Sequence, residues 1–207
     1  MSQIRIRKRE ENIWLAGSLA VSYFTLDDYE KAQHYLDITL KLDSNFDRAH
    51  FLFGMIKTAQ NMFSEAEASL NKALLLNPQN PFYHCIYGMA QAAQQRYPEA
   101  IEAFNRTLSL APSYGLGYYQ LGRALTQQKQ FPEARLALER AVDLRPDLAE
   151  AHYRLGTVYV RLGEKEKAEK AMANFQKFQA KAMDERQEML KSMREIVLPD
   201  SSVKNPG

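Results

Sequence analysis

The residues of this sequence that could do chemistry are His50, His84, His152 and Cys85, together with one cluster of glycines. A metal site needs ligands that converge, usually with cysteine or carboxylate companions at ligand spacing. The three histidines instead stand 34 and 68 residues apart, without such companions. That spacing places all three at the fourth position of their units and describes one shared structural task, that of packing. Cys85 adjoins His84, but neighbouring helical residues point about 100° apart, so the two form no nucleophile–base dyad. A single cysteine also excludes an internal disulfide framework and any multi-cysteine metal or cluster site. Gly115, Gly117 and Gly122 imitate a phosphate loop, yet the third glycine is misplaced and no strand precedes them. Asn105-Arg106-Thr107 matches a glycosylation sequon inside a predicted helix and reads as accidental. No paired carboxylates stand out. The chain reads as non-enzymatic, with no cofactor and no metal.

The elements that position these residues follow a strict period. Gly54, Gly88, Gly122 and Gly156 are spaced by 34, as are Pro78, Pro112 and Pro146, and also Pro98 and Pro132. Ala32, Ala66, Ala100, Ala134 and Ala168 carry the same spacing through five units. Three residue types on one period define a repeat architecture. The units are residues 13–46, 47–80, 81–114, 115–148 and 149–182. In the fourth, Tyr118, Leu121, Gly122 and Leu125 share one face of a first helix, and Ala134, Leu138, Ala141 and Leu144 share one face of a second. Pro132 suits a first helical turn, where its missing N–H loses no bond. Pro146 stops the second helix, because the residue before a proline avoids the α region. The small residues at position 8 (Ala20, Gly54, Gly88, Gly122, Gly156) and the five alanines at position 20 predict a close approach of the two helices. Neither helix buries its apolar face alone, so neighbouring units must stack.

The unit resembles the tetratricopeptide repeat. Tyr118, Leu121-Gly122, Ala134, Leu138, Ala141 and Pro146 carry the likeness in the fourth unit, and Leu155-Gly156, Tyr159 and Ala168 in the fifth. The first unit is the most degenerate, keeping Leu19, Ala20, Tyr23, Ala32 and Leu36 but placing Ser44 where the stop proline belongs. The resemblance implies an all-α, right-handed superhelical solenoid of helix-turn-helix repeats. It also implies an inner groove lined by positions 2, 5, 6, 9, 12 and 13 of each unit. The middle units then contribute Phe51, Leu52, Met55, Phe82, Cys85, Ile86 and Met89, and the later ones Tyr119, Gln120, Arg123, Tyr153, Arg154 and Arg161. Such a groove is apolar in the middle and rich in tyrosine and arginine toward the C-terminal end, which suits a peptide or an amphipathic helix. The lysines and asparagines with which some members grip a terminal carboxylate are missing: positions 5 and 9 are Gly17 and Val21, Phe51 and Met55, Cys85 and Met89.

The two ends differ. Residues 1–12 hold Arg5, Arg7, Lys8 and Arg9, and the uncharged run Asn12 to Leu26 follows, an imitation of a targeting leader. Leu19, Ala20 and Tyr23 nevertheless keep the repeat register, so Ile13 to Leu26 reads as the first helix of unit one. That run is short for a membrane span. No glycine or proline occurs from Glu164 to Leu198. The last helix therefore runs on, or a second helix follows at once, with an apolar stripe of Phe175, Phe178, Ala182, Met189, Met193, Ile196 and Val197. Residues 183–198 are expected to cap the last repeat or to meet another copy, and 199–207 to form a flexible tail.

With 207 residues and a net charge of +2, the chain offers no global electrostatic case for nucleic acid or membrane. Residues 1–100 carry 10 basic and 11 acidic groups, and residues 101–207 carry 17 and 14. The small positive excess thus belongs to the half that holds Arg123, Arg154 and Arg161. The leading expectation is a protein-interaction scaffold with a protein or peptide partner, in the cytoplasm. The alternatives are a scaffold that assembles with itself through its terminal helices, and the repeat region of a larger enzyme such as a glycosyltransferase.

Overall fold

A computed structural model describes residues 2–197. The proposed tail at 199–207 lies outside the described residues. Among the described residues ten helices follow one another: α1 Ser2–Thr25, α2 Tyr29–Leu42, α3 Asp47–Ala59, α4 Phe63–Leu76, α5 Pro81–Ala93, α6 Tyr97–Leu110, α7 Gly115–Gln127, α8 Phe131–Leu144, α9 Ala149–Leu162 and α10 Lys165–Val197. The second helix stops at a leucine in each of the first four units, Leu42, Leu76, Leu110 and Leu144. It does so even in unit one, where Ser44 replaces the proline.

The repeat glycines mark where the paired helices touch. A Cβ built on Gly54 or Gly122 would lie 2.5 Å from the Cγ of Leu70 or Leu138, and one on Gly88 would lie 2.7 Å from Phe104. These partners all hold position 24, which is fully buried: Leu36, Leu70, Phe104 and Leu138 are 0–1% exposed. A glycine in mid-helix gives up about 1 kcal/mol of propensity. In exchange, the large side chain of the second helix lies directly on the backbone of the first.

Within each unit the two helices pack together, and each second helix also meets the next first helix. First helices touch one another in series, α1–α3–α5–α7–α9, whereas among the described residues no two second helices touch. The stack is therefore tighter on the first-helix side, which makes that side the inner, concave one. Between units the chain turns on a recurrent clamp. His50 Nε2 lies 2.9 Å from the Ser44 carbonyl, His84 Nε2 2.9 Å from that of Pro78, and His152 Nε2 2.9 Å from that of Pro146. A carbonyl can only accept, so each ring donates from Nε2. The spacing pointed to one shared packing task, and the structure adds to it this hydrogen bond across the turn. A second link joins position 21 of one unit to position 16 of the next with its charges exchanged: Glu67 to Arg96 and Arg135 to Glu164, both 3.0 Å. These pairs are partly exposed, so each contributes less than about 1 kcal/mol.

The turn between the paired helices holds a feature absent from the sequence reading. Asp27, Asn61, Gln95, Lys129 and Gly163 all sit at position 15, and all have positive φ, from 57° to 78°. Only the last is a glycine, and a left-handed residue with a Cβ costs about 1–2 kcal/mol. Lys129→Gly is therefore expected to stabilise the chain by about 1 kcal/mol, raising Tm by about 2–4 °C in a thermal melt.

Both ends are longer than the repeats. The basic segment does not precede the first helix but forms its start, since α1 begins at Ser2. Within α1, Ile13, Ala16 and Ala20 are buried. The expected capping is confined to the first half of α10. Ala168 and Ala171 are buried there, and the Phe178 ring stacks on His152 at 5.3 Å. Residues 179–194 are exposed throughout and cover nothing. The reason is length: α10 has 33 residues against 14 in α9, its sole partner among the described residues. With no glycine or proline to turn the helix back, the excess of 19 residues projects about 28 Å past the last repeat.

Candidate functional site

The first helices of units one to three enclose a groove of about 560 Å³ on the inner side. Its walls are Trp14 and Val21 from α1, Arg48, Phe51 and Met55 from α3, and Phe82 and Ile86 from α5, with Phe46 and Tyr114 supplied by the turns. The sequence explains this lining through a pair that recurs two units apart. Position 2 of one unit meets position 34 at its end, edge to face: Trp14 on Phe46 at 5.7 Å and 87°, Phe82 on Tyr114 at 5.4 Å and 80°. Phe51 stacks on Tyr83 at 4.5 Å between units two and three. The Arg48 guanidinium lies 5.5 Å from the Trp14 ring centre, a cation on an aromatic face. Trp14, Val21 and Phe82 remain 51–54% exposed, which is unusual for large apolar side chains placed side by side.

The floor is closed by Leu52 and Cys85, both buried. Burial pushes the Cys85 thiol up to about 11, so it is an inert packing group and no nucleophile. Beneath the rim, Asp47 ties units two and three together. Its Oδ2 accepts from Asn77 Nδ2 and from the Tyr83 hydroxyl, both at 2.9 Å. Burial acts to raise the Asp47 carboxyl, but the two hydrogen bonds outweigh it and hold the group below the ordinary carboxylate range. The stabilisation from this lowered group is fully present above the unfolded value near 4 and is lost as pH falls through the folded value. Below about pH 4, the wild-type protein is therefore expected to lose stability more steeply than Asp47→Asn, as read from urea midpoints between pH 5 and 2.5.

Of the thirteen groove residues read from the sequence, the structure gathers Phe51, Leu52, Met55, Phe82, Cys85 and Ile86 in this cavity. Met89 does not line it and packs against the core of units three to five. The remaining six, Tyr119, Gln120, Arg123, Tyr153, Arg154 and Arg161, stand in the next two units. Arg123 lies over the Tyr119 ring at 5.7 Å and donates to Gln120 Oε1 at 2.9 Å. Arg154 Nε donates to the Tyr119 hydroxyl at 3.3 Å, so two guanidinium groups flank one tyrosine. Tyr153 is 49% exposed and tilts against Phe175 at 5.3 Å. Among the described residues, Arg123, Arg154 and Arg161 have no carboxylate partner within ion-pair distance. Trp14 and Arg48 hold position 2, a groove position of the register, but were not among the residues named from the sequence, and Phe46 and Tyr114, at position 34, escaped it. The recurrence of an aromatic at positions 2 and 34, two units apart, was the signal that could have found Trp14, Phe46 and Tyr114.

Among the described residues, no helix is long and apolar enough to cross a membrane, and no group of three metal-ligating side chains comes together. No curated protein sequence matches the chain. Solved structures of the same architecture do. A form of MamA from Desulfovibrio magneticus RS-1 is 20% identical with a TM-score of 0.74, covering 82% of this chain and 96% of that one. The pilF protein of Pseudomonas aeruginosa is 19% identical with a TM-score of 0.78, covering 94% and 95%. YrrB, described as a repeat protein with an unusual peptide-binding site, is 22% identical with a TM-score of 0.68, covering 87% and 93%. At these identities the likeness concerns the fold. Family models described as tetratricopeptide repeat match residues 18–81, 51–115, 91–142 and 149–179, and one described as TPR repeat matches 122–163. The matches run through all five units, and the chain belongs to the tetratricopeptide repeat family.

Proposed function

We propose that this protein is a binding scaffold that holds an apolar, amphipathic protein segment along its inner face. The observation that carries the reading is the groove of about 560 Å³, walled by half-exposed Trp14, Val21 and Phe82 and open on the concave side. Helix-in-groove recognition needs such a trough, with apolar walls for the anchors of one helical face. The tyrosine and arginines of units four and five extend the same surface with groups that anchor interfaces through stacking and planar hydrogen bonds. The thiol at its floor is buried and protonated, and His50, His84 and His152 are engaged in turns. That a protein of this fold, YrrB, has a described peptide-binding site agrees with the reading.

The test is a triple variant, Tyr119→Ala with Arg123→Ala and Arg154→Ala, compared with wild type for retention of bound partners. The reading expects retention to fall at least about tenfold with helicity unchanged, since each such anchor contributes on the order of 1 kcal/mol or more. Equal retention removes units four and five from the binding surface.

A further inference from the structure

We infer that the partner segment is acidic as well as apolar, with carboxylate side chains seated on Arg123, Arg154 and Arg161 of α7 and α9. The inference rests on the groove reading above and names the chemistry of its partner. Positions 2, 5, 6, 9, 12 and 13 of the five units hold four arginines, Arg48, Arg123, Arg154 and Arg161. The same positions hold no lysine, no aspartate and one glutamate, Glu150. The second helices α2, α4, α6 and α8 show the opposite balance, with nine Asp or Glu against six Lys or Arg. A chain of net charge +2 is thus sorted, with positive charge on its inner side and negative charge on its outer side. Such a field steers an acidic segment toward the inner face and away from the outer one.

The arrangement around Tyr119 leaves donors to spare. Arg154 Nε donates to the Tyr119 hydroxyl at 3.3 Å. Arg123 lies over the same ring at 5.7 Å, and its Nη1 donates to Gln120. These bonds use one N–H of each guanidinium, which carries five. Two like charges held on one tyrosine repel each other. A carboxylate set between them relieves the repulsion and accepts planar, charge-assisted bonds. The chain does not supply it: among the described residues, no carboxylate lies within ion-pair distance of Arg123, Arg154 or Arg161. Glu150, one turn before Arg154, is exposed and also outside that distance. Arg161 stands two turns beyond Arg154, about 10 Å along the helix. The segment therefore brings at least two carboxylates, which a lone chain end does not supply.

The change of character along the inner face decides the class of partner. Arg48 is the one charged residue that lines the groove of units one to three. Three arginines stand in the two units beyond it. Since α5 touches α7 and α7 touches α9, the two surfaces are continuous. A nucleic-acid strand carries a negative charge at every nucleotide, so its charges would be left unmatched along the apolar half. A protein segment is free to be apolar over one stretch and acidic over the next. From Phe82 on α5 to Arg154 on α9 is two helix spacings, about 16–20 Å. That distance corresponds to about 11–13 residues of helix.

The test pans random peptides of about 16 residues, displayed on phage as internal segments, over the full-length chain. A full-length variant carrying Arg123→Gln and Arg154→Gln is panned in parallel, with its fold checked by circular dichroism. Peptides enriched on wild type should combine apolar residues with an excess of aspartate and glutamate over the starting library. On the variant that excess should vanish. One enriched peptide is then synthesised, with and without its acids replaced by amides. The replacement should weaken binding to wild type about tenfold, since each of two or three partly exposed pairs contributes about two- to fivefold. Raising salt from about 0.05 to 0.5 M should weaken the acidic peptide more than the amide version. Enrichment of apolar peptides without the acidic excess, or an excess that survives on the variant, overturns the inference and leaves the groove reading standing. Oligothymidylate that binds wild type more tightly than the acidic peptide, and loses that binding on the variant, assigns the arginines to nucleic acid and overturns it too. If no peptide is enriched, both readings fall.

Discussion

Gly122→Ala is expected to destabilise the protein by about 1–2 kcal/mol, against the direction that helix propensity predicts. Alanine improves on glycine by about 1 kcal/mol in an exposed helix interior. At this site the new methyl group would lie 2.5 Å from Leu138 Cγ and 2.8 Å from its Cδ2. No real side chain tolerates that distance, and Leu138 is fully buried with no space to retreat. Overpacking of this kind costs about 1–3 kcal/mol, so the clash outweighs the gain. Gly17 supplies the contrast, because a Cβ there meets only Phe46 Cε1 at an ordinary 3.8 Å. Gly17→Ala should leave stability unchanged or raise it by up to about 1 kcal/mol. Leu138→Ala in the Gly122→Ala background should cost less than Leu138→Ala alone, since the added methyl group fills part of the cavity. Urea unfolding midpoints of the four variants measure the set. A stabilising Gly122→Ala would mean that the paired helices do not approach as described.

Phe82→Asp is expected to weaken partner binding by at least about 30-fold while leaving the fold intact. The side chain is 53% exposed and stands against Tyr114, so removing it empties a wall and not the core. Loss of a central aromatic anchor removes about 2 kcal/mol or more, and an unpaired carboxylate set in an apolar trough opposes binding further. Leu136→Asp is the matched control, because Leu136 is 60% exposed on α8, a second helix. Isothermal titration against the partner segment should separate the two variants, and equal affinities would place the binding surface elsewhere.

The division into helices was legible because glycine, proline and alanine each report a backbone constraint that every unit must meet. The left-handed turn residue at position 15 was not legible. Asp27, Asn61, Gln95 and Lys129 satisfy it without glycine, and Gly163 alone would have signalled it. The helical start at Ser2 escaped for a related reason: arginine, lysine and glutamate are good helix formers, and nothing between Ser2 and Ile13 breaks a helix. For the groove, the register indicated candidate positions but not their depth. Met55 and Met89 occupy the same position 9 and both pack partly buried against a core, yet only Met55 also lines the cavity. Which outcome applies depends on how far adjacent first helices rotate past each other, and that is set by packing across units. Trp14 escaped because the first unit departs most from the family pattern, although its position 2 is the same as that of Phe82.

The central claim is that the partner lies on the inner face, and site-specific photocrosslinking tests it most directly. A photoreactive residue would replace Phe82 or Tyr119 on the first helices, and separately Leu75 or Leu136 on the second helices, where the side chains are 75% and 60% exposed. Crosslinked partner should form from the two inner positions and not from the two outer ones, with loss of the Phe82 adduct when excess unlabelled partner is added. Adducts of equal yield from Leu75 or Leu136, or adducts from those positions alone, would contradict it.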